Sequence, residues 1–191
     1  RRQRQMCIRD RLRTIEDGEY EIKADSDENL VLDIQNASND NEAKLQLWND
    51  IDEPQQRFYI EYQGDGYYKI TVRKSGKMID VEKASLKEGT SVQQYQNNNL
   101  DAQRWIIKDA GDGTYNIISK CNGLYMTIVG SVIPDSKIRL YSQNDKFNQK
   151  FVFDKVIKVI AERTIEDGEY EIRADSDENL VLDIQNASND N

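Results

Sequence analysis

Three times along the chain the same opening returns: Asp17-Gly18-Glu19-Tyr20-Glu21-Ile22, then Asp65-Gly66-Tyr67-Tyr68-Lys69-Ile70, then Asp112-Gly113-Thr114-Tyr115-Asn116-Ile117. The segments also close alike, at Gln56-Arg57-Phe58, Gln103-Arg104-Trp105 and Gln149-Lys150-Phe151, spaced 47 and 46 residues apart. A repeat of this length constrains the fold more than composition can, because one such unit cannot bury its apolar face alone and must share a core with its copies.

The contents of each unit say what is shared. Asp-Gly predicts a tight turn, and the Tyr-x-Ile alternation after it predicts a half-buried strand. Two further strand-like runs lie within each third: Val31–Ile34 and Leu45–Trp48, Met78–Val81 and Val92–Tyr95, Tyr125–Ile128 and Ile138–Tyr141. With the β-formers after each closing aromatic, every third has four strands, separated by Gly, Asn, Asp and Ser clusters at the spacing of an all-β sandwich or barrel. Three equivalent four-stranded repeats around one core with pseudo-threefold symmetry describe a β-trefoil, covering residues 13–156.

A second, longer period accounts for the C-terminal part of the chain. Arg13–Asn41 returns as Arg163–Asn191 with Lys23 replaced by Arg173 as the only change. Residues 157–163 therefore read as a linker and residues 164–191 as the truncated start of a second β-trefoil. Two strands are too few to enclose a core. This partial second copy is expected to form a loosely packed hairpin, to pair with an exposed strand edge, or to displace its twin by swapping. Residues 1–12 are Arg-rich and patternless and lie outside the predicted fold. They read either as translated adapter sequence, foreign to a natural protein, or as a disordered basic arm.

Charge and composition exclude several classes. The net charge is −9, and six of the 26 Lys and Arg lie within the first thirteen residues. Such a balance repels phosphate backbones and acidic ligands, so no nucleic-acid partner is expected. The apolar runs fall far short of the roughly 20 residues a helical membrane span needs, so no membrane insertion is expected. Two cysteines and no histidine give neither a disulfide framework nor a Cys/His zinc site. Asp25-x-Asp27-x-Asn29 resembles the start of a calcium loop, but Leu30 stands in place of the required Gly, and the segment is read as a solvated turn. No cofactor and no metal are expected.

The Gln-x-[Trp/Phe] closure in register with the Asp-Gly-x-Tyr openings, together with Leu32-Asp33-Ile34 and Leu45-Gln46-Leu47-Trp48, resembles the ricin-type β-trefoil lectins. That resemblance implies a carbohydrate-binding module without catalysis of its own. It further implies an appendage of a larger bacterial protein, extracellular or at the cell surface, whose catalytic domain lies elsewhere in the full-length chain. The implied partner is a glycan or polysaccharide. Each sugar pocket would combine an aspartate from the second strand, an aromatic ending the third, and polar amides before the closing aromatic. A carboxylate accepts hydrogen bonds from two sugar hydroxyls, while an aromatic face packs on the C–H face of the ring.

Carried over by position, the first repeat supplies Asp33, Trp48, Gln55 and Gln56. The second supplies Asp80, Tyr95 and Gln103, with Ala102 where an amide is expected. The third supplies Tyr141, Asn148 and Gln149, but Thr127 replaces the aspartate, so a degenerate site is expected there. Competing readings attach to the same residues. The glutamines also suit buried backbone clamps, Trp48 also suits a partly buried edge, and Tyr20, Tyr68, Tyr115, Phe58, Trp105 and Phe151 are read as shared core. The chain as a whole also fits a structural or protein-interaction β-trefoil whose pockets have decayed. An enzyme would need paired carboxylates in one cleft, or a histidine-activated nucleophile, and the sequence predicts neither.

Overall fold

The computed structural model describes residues 13–156 and, beyond them, the backbone of Arg173–Ala174 and Asp177–Val181. The expected leader at 1–12, the linker and most of 164–191 lie outside the described residues. Over residues 13–156 twelve strands follow one another in three lobes. Lobe 1 holds β1 (Gly18–Ala24), β2 (Asp27–Ile34), β3 (Leu45–Asn49) and β4 (Arg57–Gly64). Lobe 2 holds β5 (Tyr67–Val72), β6 (Met78–Val81), β7 (Thr90–Tyr95) and β8 (Trp105–Gly111). Lobe 3 holds β9 (Thr114–Ser119), β10 (Tyr125–Ile128), β11 (Ile138–Tyr141) and β12 (Phe151–Lys155). The six internal strand-like runs read from the sequence all fall within β2, β3, β6, β7, β10 and β11.

The first and last strands of the lobes pair in a ring, β1 with β4, β4 with β5, β5 with β8, β8 with β9, β9 with β12, and β12 with β1, all antiparallel. A closed six-stranded barrel has no free edge, which removes the template for edge-to-edge aggregation. The middle strands form three hairpins, β2–β3, β6–β7 and β10–β11. These also join one another, through Lys44 with Gln93, Ser91 with Arg139 and Gln46 with Lys137. The three contacts are equivalent by the repeat, so the hairpins make a triangular cap on the barrel. That is the β-trefoil the repeats predict.

Phe58, Trp105 and Phe151 are fully buried at equivalent barrel positions, and Ile22, Ile70 and Ile117 are buried with them in the same core. The Trp105 indole N–H, costly to bury alone, donates to the Ile79 carbonyl at 3.0 Å. Tyr20 and Tyr68 are buried as well. Tyr115 is the exception among the six expected core aromatics: it is only half-buried, with its ring edge-on to Phe153 at 5.4 Å.

The Asp-Gly signature behaves in two ways. Asp65-Gly66 and Asp112-Gly113 have positive φ at both residues, 53° and 83°, then 54° and 76°, which is the backbone a two-residue hairpin turn requires. They join β4 to β5 and β8 to β9. Asp17-Gly18, predicted as the same turn, is not one: Gly18 already belongs to β1 and pairs with Ile60. Among the described residues no strand precedes it to turn from, and Asp17 instead accepts a hydrogen bond from the Tyr62 backbone N–H at 2.8 Å.

The described backbone of the second copy repeats the first. β13 (Arg173–Ala174) and β14 (Asp177–Val181) pair antiparallel with Arg173 opposite Val181 and Ala174 opposite Asp177. This is the register of Lys23 with Val31 and Ala24 with Asp27, including the shift between the two rungs. The same sequence makes the same irregular hairpin twice.

Candidate functional site

In β2, alternation should leave every second residue in water, yet Leu30 to Ile34 are all buried. The inner face, Leu32 and Ile34, enters the core with Leu45 and Leu47 of β3. The outer face is covered by the short 3-10 turn Pro54–Gln56 that leads into β4. Asp33 on that outer face is therefore sealed to 4% exposure. It lies directly across from Gln46, whose Nε2 donates to Asp33 Oδ1 at 2.9 Å. Two residues along, Trp48 faces Val31 on the same side and is 37% exposed.

These residues share one cleft of about 440 Å³. Asp33 and Gln46 form its floor, while Trp48, Ile51 and Gln55 form one side. The opposite side is the turn Gln35–Ala37, held in left-handed backbone at Asn36 (φ 58°) and Ala37 (φ 49°). Such conformations cost of order 1–3 kcal/mol each at non-glycine residues and cluster at binding sites. Burial pushes the Asp33 carboxyl above its ordinary range, and hydrogen bonds from Gln46 and Gln56, with the positive charge of Lys74, pull it part of the way back.

The sequence places Gln56 at the cleft with Gln55, but the structure puts the two on different duties. Gln55 lines the cleft. Gln56 is fully buried behind it, donating from Nε2 to the Asn49 carbonyl at 2.8 Å and accepting from the Ile51 N–H at 2.9 Å. The same clamp recurs in lobe 2, where Gln103 bonds Gln96 O and Asn98 N at 2.8 and 2.9 Å. It recurs in lobe 3, where Gln149 bonds Ser142 O and Asn144 N, both at 2.9 Å. Gln56, Gln103 and Gln149 are thus placed as the buried backbone clamps that fix the loop after the third strand. The second amide N–H turns toward the site rung: Gln149 Nε2 also donates to Thr127 Oγ1 at 2.9 Å, and Gln56 and Gln103 bond Asp33 and Asp80.

Lobe 2 repeats the floor of the cleft. Asp80 is 4% exposed and accepts from Gln93 Nε2 at 3.1 Å. Tyr95, half-buried, stands where Trp48 does, across from Met78. Ala102 is buried among core residues, so this lobe has no counterpart of Gln55. The turn after β6 is left-handed again, at Lys83 (φ 54°) and Ala84 (φ 48°). Burial raises the Asp80 pKa, and Gln93, Gln103 and Lys44 oppose it.

Lobe 3 keeps a cleft of about 430 Å³ lined by Thr127, Tyr141 and Asn148. Its chemistry is spent internally. Thr127 Oγ1 donates to Tyr125 O at 2.8 Å and accepts from Gln149 Nε2 at 2.9 Å. The Asn148 amide donates to Ile128 O at 3.2 Å and accepts from Asn144 at 3.2 Å. The carboxylate in this cleft is Glu88, which comes from lobe 2 and accepts from Ser142 N at 2.8 Å. The left-handed non-glycine pair is replaced by Gly130 (φ 80°).

Gln46 and Gln93 carry no mark as site residues in the sequence reading. A signal was present: each follows its aspartate by 13 residues, whereas Arg139 follows Thr127 by 12. Among the described residues no group of three or more His, Cys, Asp or Glu is placed to hold a metal ion.

The family model for the ricin-type β-trefoil lectin domain-like family matches residues 11–95, 54–141 and 101–191. The chain therefore belongs to that family of β-trefoil lectin domains. Among solved structures it is similar to a designed threefold-symmetric protein, ThreeFoil, at 31% identity and TM-score 0.71 over 73% of this chain and 100% of that one. It is equally similar to an exo-β-1,3-galactanase from Clostridium thermocellum, at 31% identity and TM-score 0.70, where the match spans 73% of this chain but 30% of that one. The Macrolepiota procera ricin B-like lectin, solved in complex with lactose, shares the fold at 15% identity and TM-score 0.64 over 75% of this chain and 100% of that one. No curated protein sequence matches the chain.

Proposed function

We propose that this chain is a non-catalytic glycan-binding module whose principal site is the lobe 1 cleft, with a second, weaker site in lobe 2 and a degenerate one in lobe 3. The observation that carries this reading is that one concave surface gathers Asp33, Gln46, Trp48 and Gln55. A carboxylate held by side-chain amides keeps acceptor capacity for sugar hydroxyls, because its two oxygens offer about four lone-pair sites. An indole at the rim offers a flat apolar face to the C–H side of a pyranose. Each site is small, and affinity accumulates through repetition within the chain. Similarity to part of a galactanase and to a lectin solved with lactose supports galactose-containing glycans as the first ligands to try. It also supports a place beside a catalytic domain in a longer extracellular or cell-surface protein. Asp33 and Asp80 stand on the cap hairpins of different lobes, each at the floor of its own site, which is not the arrangement of a glycosidase pair sharing one cleft.

The test is a glycan array followed by calorimetric titration of a hit with Trp48→Ala and Asp33→Ala. Each variant should lose about tenfold or more in affinity, equivalent to about 1.4 kcal/mol. Trp48→Ala should leave the melting temperature nearly unchanged, since the residue is partly exposed. An empty array together with a protein partner recovered by pull-down would replace this reading with an interaction module.

A further inference from the structure

The sites are not confined to their own lobes. Lys44, at the head of β3 in lobe 1, bonds through Nζ to Gln93 Oε1 at 2.9 Å in lobe 2, and Gln93 Nε2 in turn donates to Asp80 at 3.1 Å. Lys44 is steadied from the other side by Glu82, 3.3 Å away in the turn after β6. A cation on the amide oxygen polarises the amide and strengthens the N–H bond to the carboxylate.

The repeat assigns a counterpart to every member of this chain of contacts. For lobe 1 the set is Lys137, Gln35, Gln46 and Asp33, and the backbones of Lys137 and Gln46 are bridged across the cap as those of Lys44 and Gln93 are. Gln46 Oε1 is buried and has no hydrogen-bond partner among the described residues. That is the atom corresponding to the one Lys44 binds in lobe 2, so the lysine contact is made at the lobe 2 site and not at the lobe 1 site. For lobe 3 the set is Ser91, Val129, Arg139 and Thr127. Lysine, amide and carboxylate are all replaced there together, which is the pattern of residues that serve one another.

We propose that Lys44, heading the third strand of lobe 1, is a positioning residue for the site of lobe 2, holding Asp80 through Gln93. This rests on the sugar-binding reading for its purpose but not for its geometry. The charged and titratable groups facing Asp80 include Lys44 and the Cys121 thiol; for Asp33 they include the Lys74 ammonium and Asp135, which lines the same cleft.

The test titrates the Asp33 and Asp80 side-chain carboxyls by NMR, without any sugar, in wild type, Lys44→Met and Lys137→Met. Methionine keeps the aliphatic stem, and thermal melts confirm that each variant folds. Lys44→Met should raise the Asp80 midpoint and leave Asp33 in place, Lys137→Met should leave both in place, and Lys44→Arg should restore the Asp80 value. An Asp80 midpoint that stays put in Lys44→Met, or that moves equally in both variants as a diffuse charge effect would make it, overturns the proposal. Because no glycan enters the titration, a chain that binds no sugar would sink the proposed function while leaving this result readable. With a binding wild type, Lys44→Met should also weaken lobe 2 several-fold and spare lobe 1.

Discussion

In lobe 1 the rung beneath the cleft pairs Asp33 with Gln46, whereas in lobe 3 the same rung pairs Thr127 with Arg139. The turn beside it is forced left-handed at Asn36 and Ala37 in the first lobe and relaxed to Gly130 in the third. Yet the clamps behind the two clefts, Gln56 and Gln149, make the same pair of backbone bonds, and Phe58 and Phe151 are equally buried. The fold and the site are carried by different residues of one repeat. Replacing Asp by Thr removes an acceptor and leaves the barrel intact, because the hydroxyl closes its bonds locally onto Tyr125 and Gln149.

If that separation is correct, the largest effects should ignore the difference between lobes. Phe58→Ala and Phe151→Ala should each cost about 3–5 kcal/mol in chemical denaturation, and a cheap Phe151→Ala would show that lobe 3 has loosened as well as lost its carboxylate. Next comes a change confined to one lobe. Asp33→Asn should cost the lobe 1 site about tenfold to a hundredfold in affinity, the value of a hydrogen bond to a charged group, whereas Thr127→Asn should leave total glycan binding unaltered.

The smallest effect is in pH. Burial raises the Asp33 carboxyl above its ordinary value near 3.8, with Gln46 and Gln56 opposing. A group whose folded pKa is raised contributes stability below its unfolded pKa and loses that contribution as pH rises through the folded value. Ligand binding runs the other way, because the charged form is the acceptor. Glycan affinity at lobe 1 should therefore decline while the pH is still above the usual aspartate range, and Asp33→Asn should remove that step and be no less stable at neutral pH. A pH-independent wild-type affinity down to that range would show that Asp33 is not the acceptor.

Much of this was legible in the chain. The recurrence of Asp-Gly-x-Tyr and Gln-x-[Trp/Phe] dictates three lobes, since units that small bury their apolar faces only together. Short runs rich in β-formers located all six cap strands, and Asp33 and Asp80 stand out as carboxylates in otherwise apolar runs. Other features had no local signature. Asp17-Gly18 reads like its two counterparts, yet Gly18 already pairs with Ile60, so only the closed barrel makes it the start of β1. Gln55 and Gln56 are identical neighbours in sequence, and the 3-10 turn over β2 decides which faces the cleft and which is sealed behind it. The reach of Lys44 into the site of lobe 2 is a contact between residues 49 apart. Periodicity specifies which face of a strand is buried, but which residues meet across the cap depends on how three hairpins close around an axis, and that exists only once the whole chain has folded.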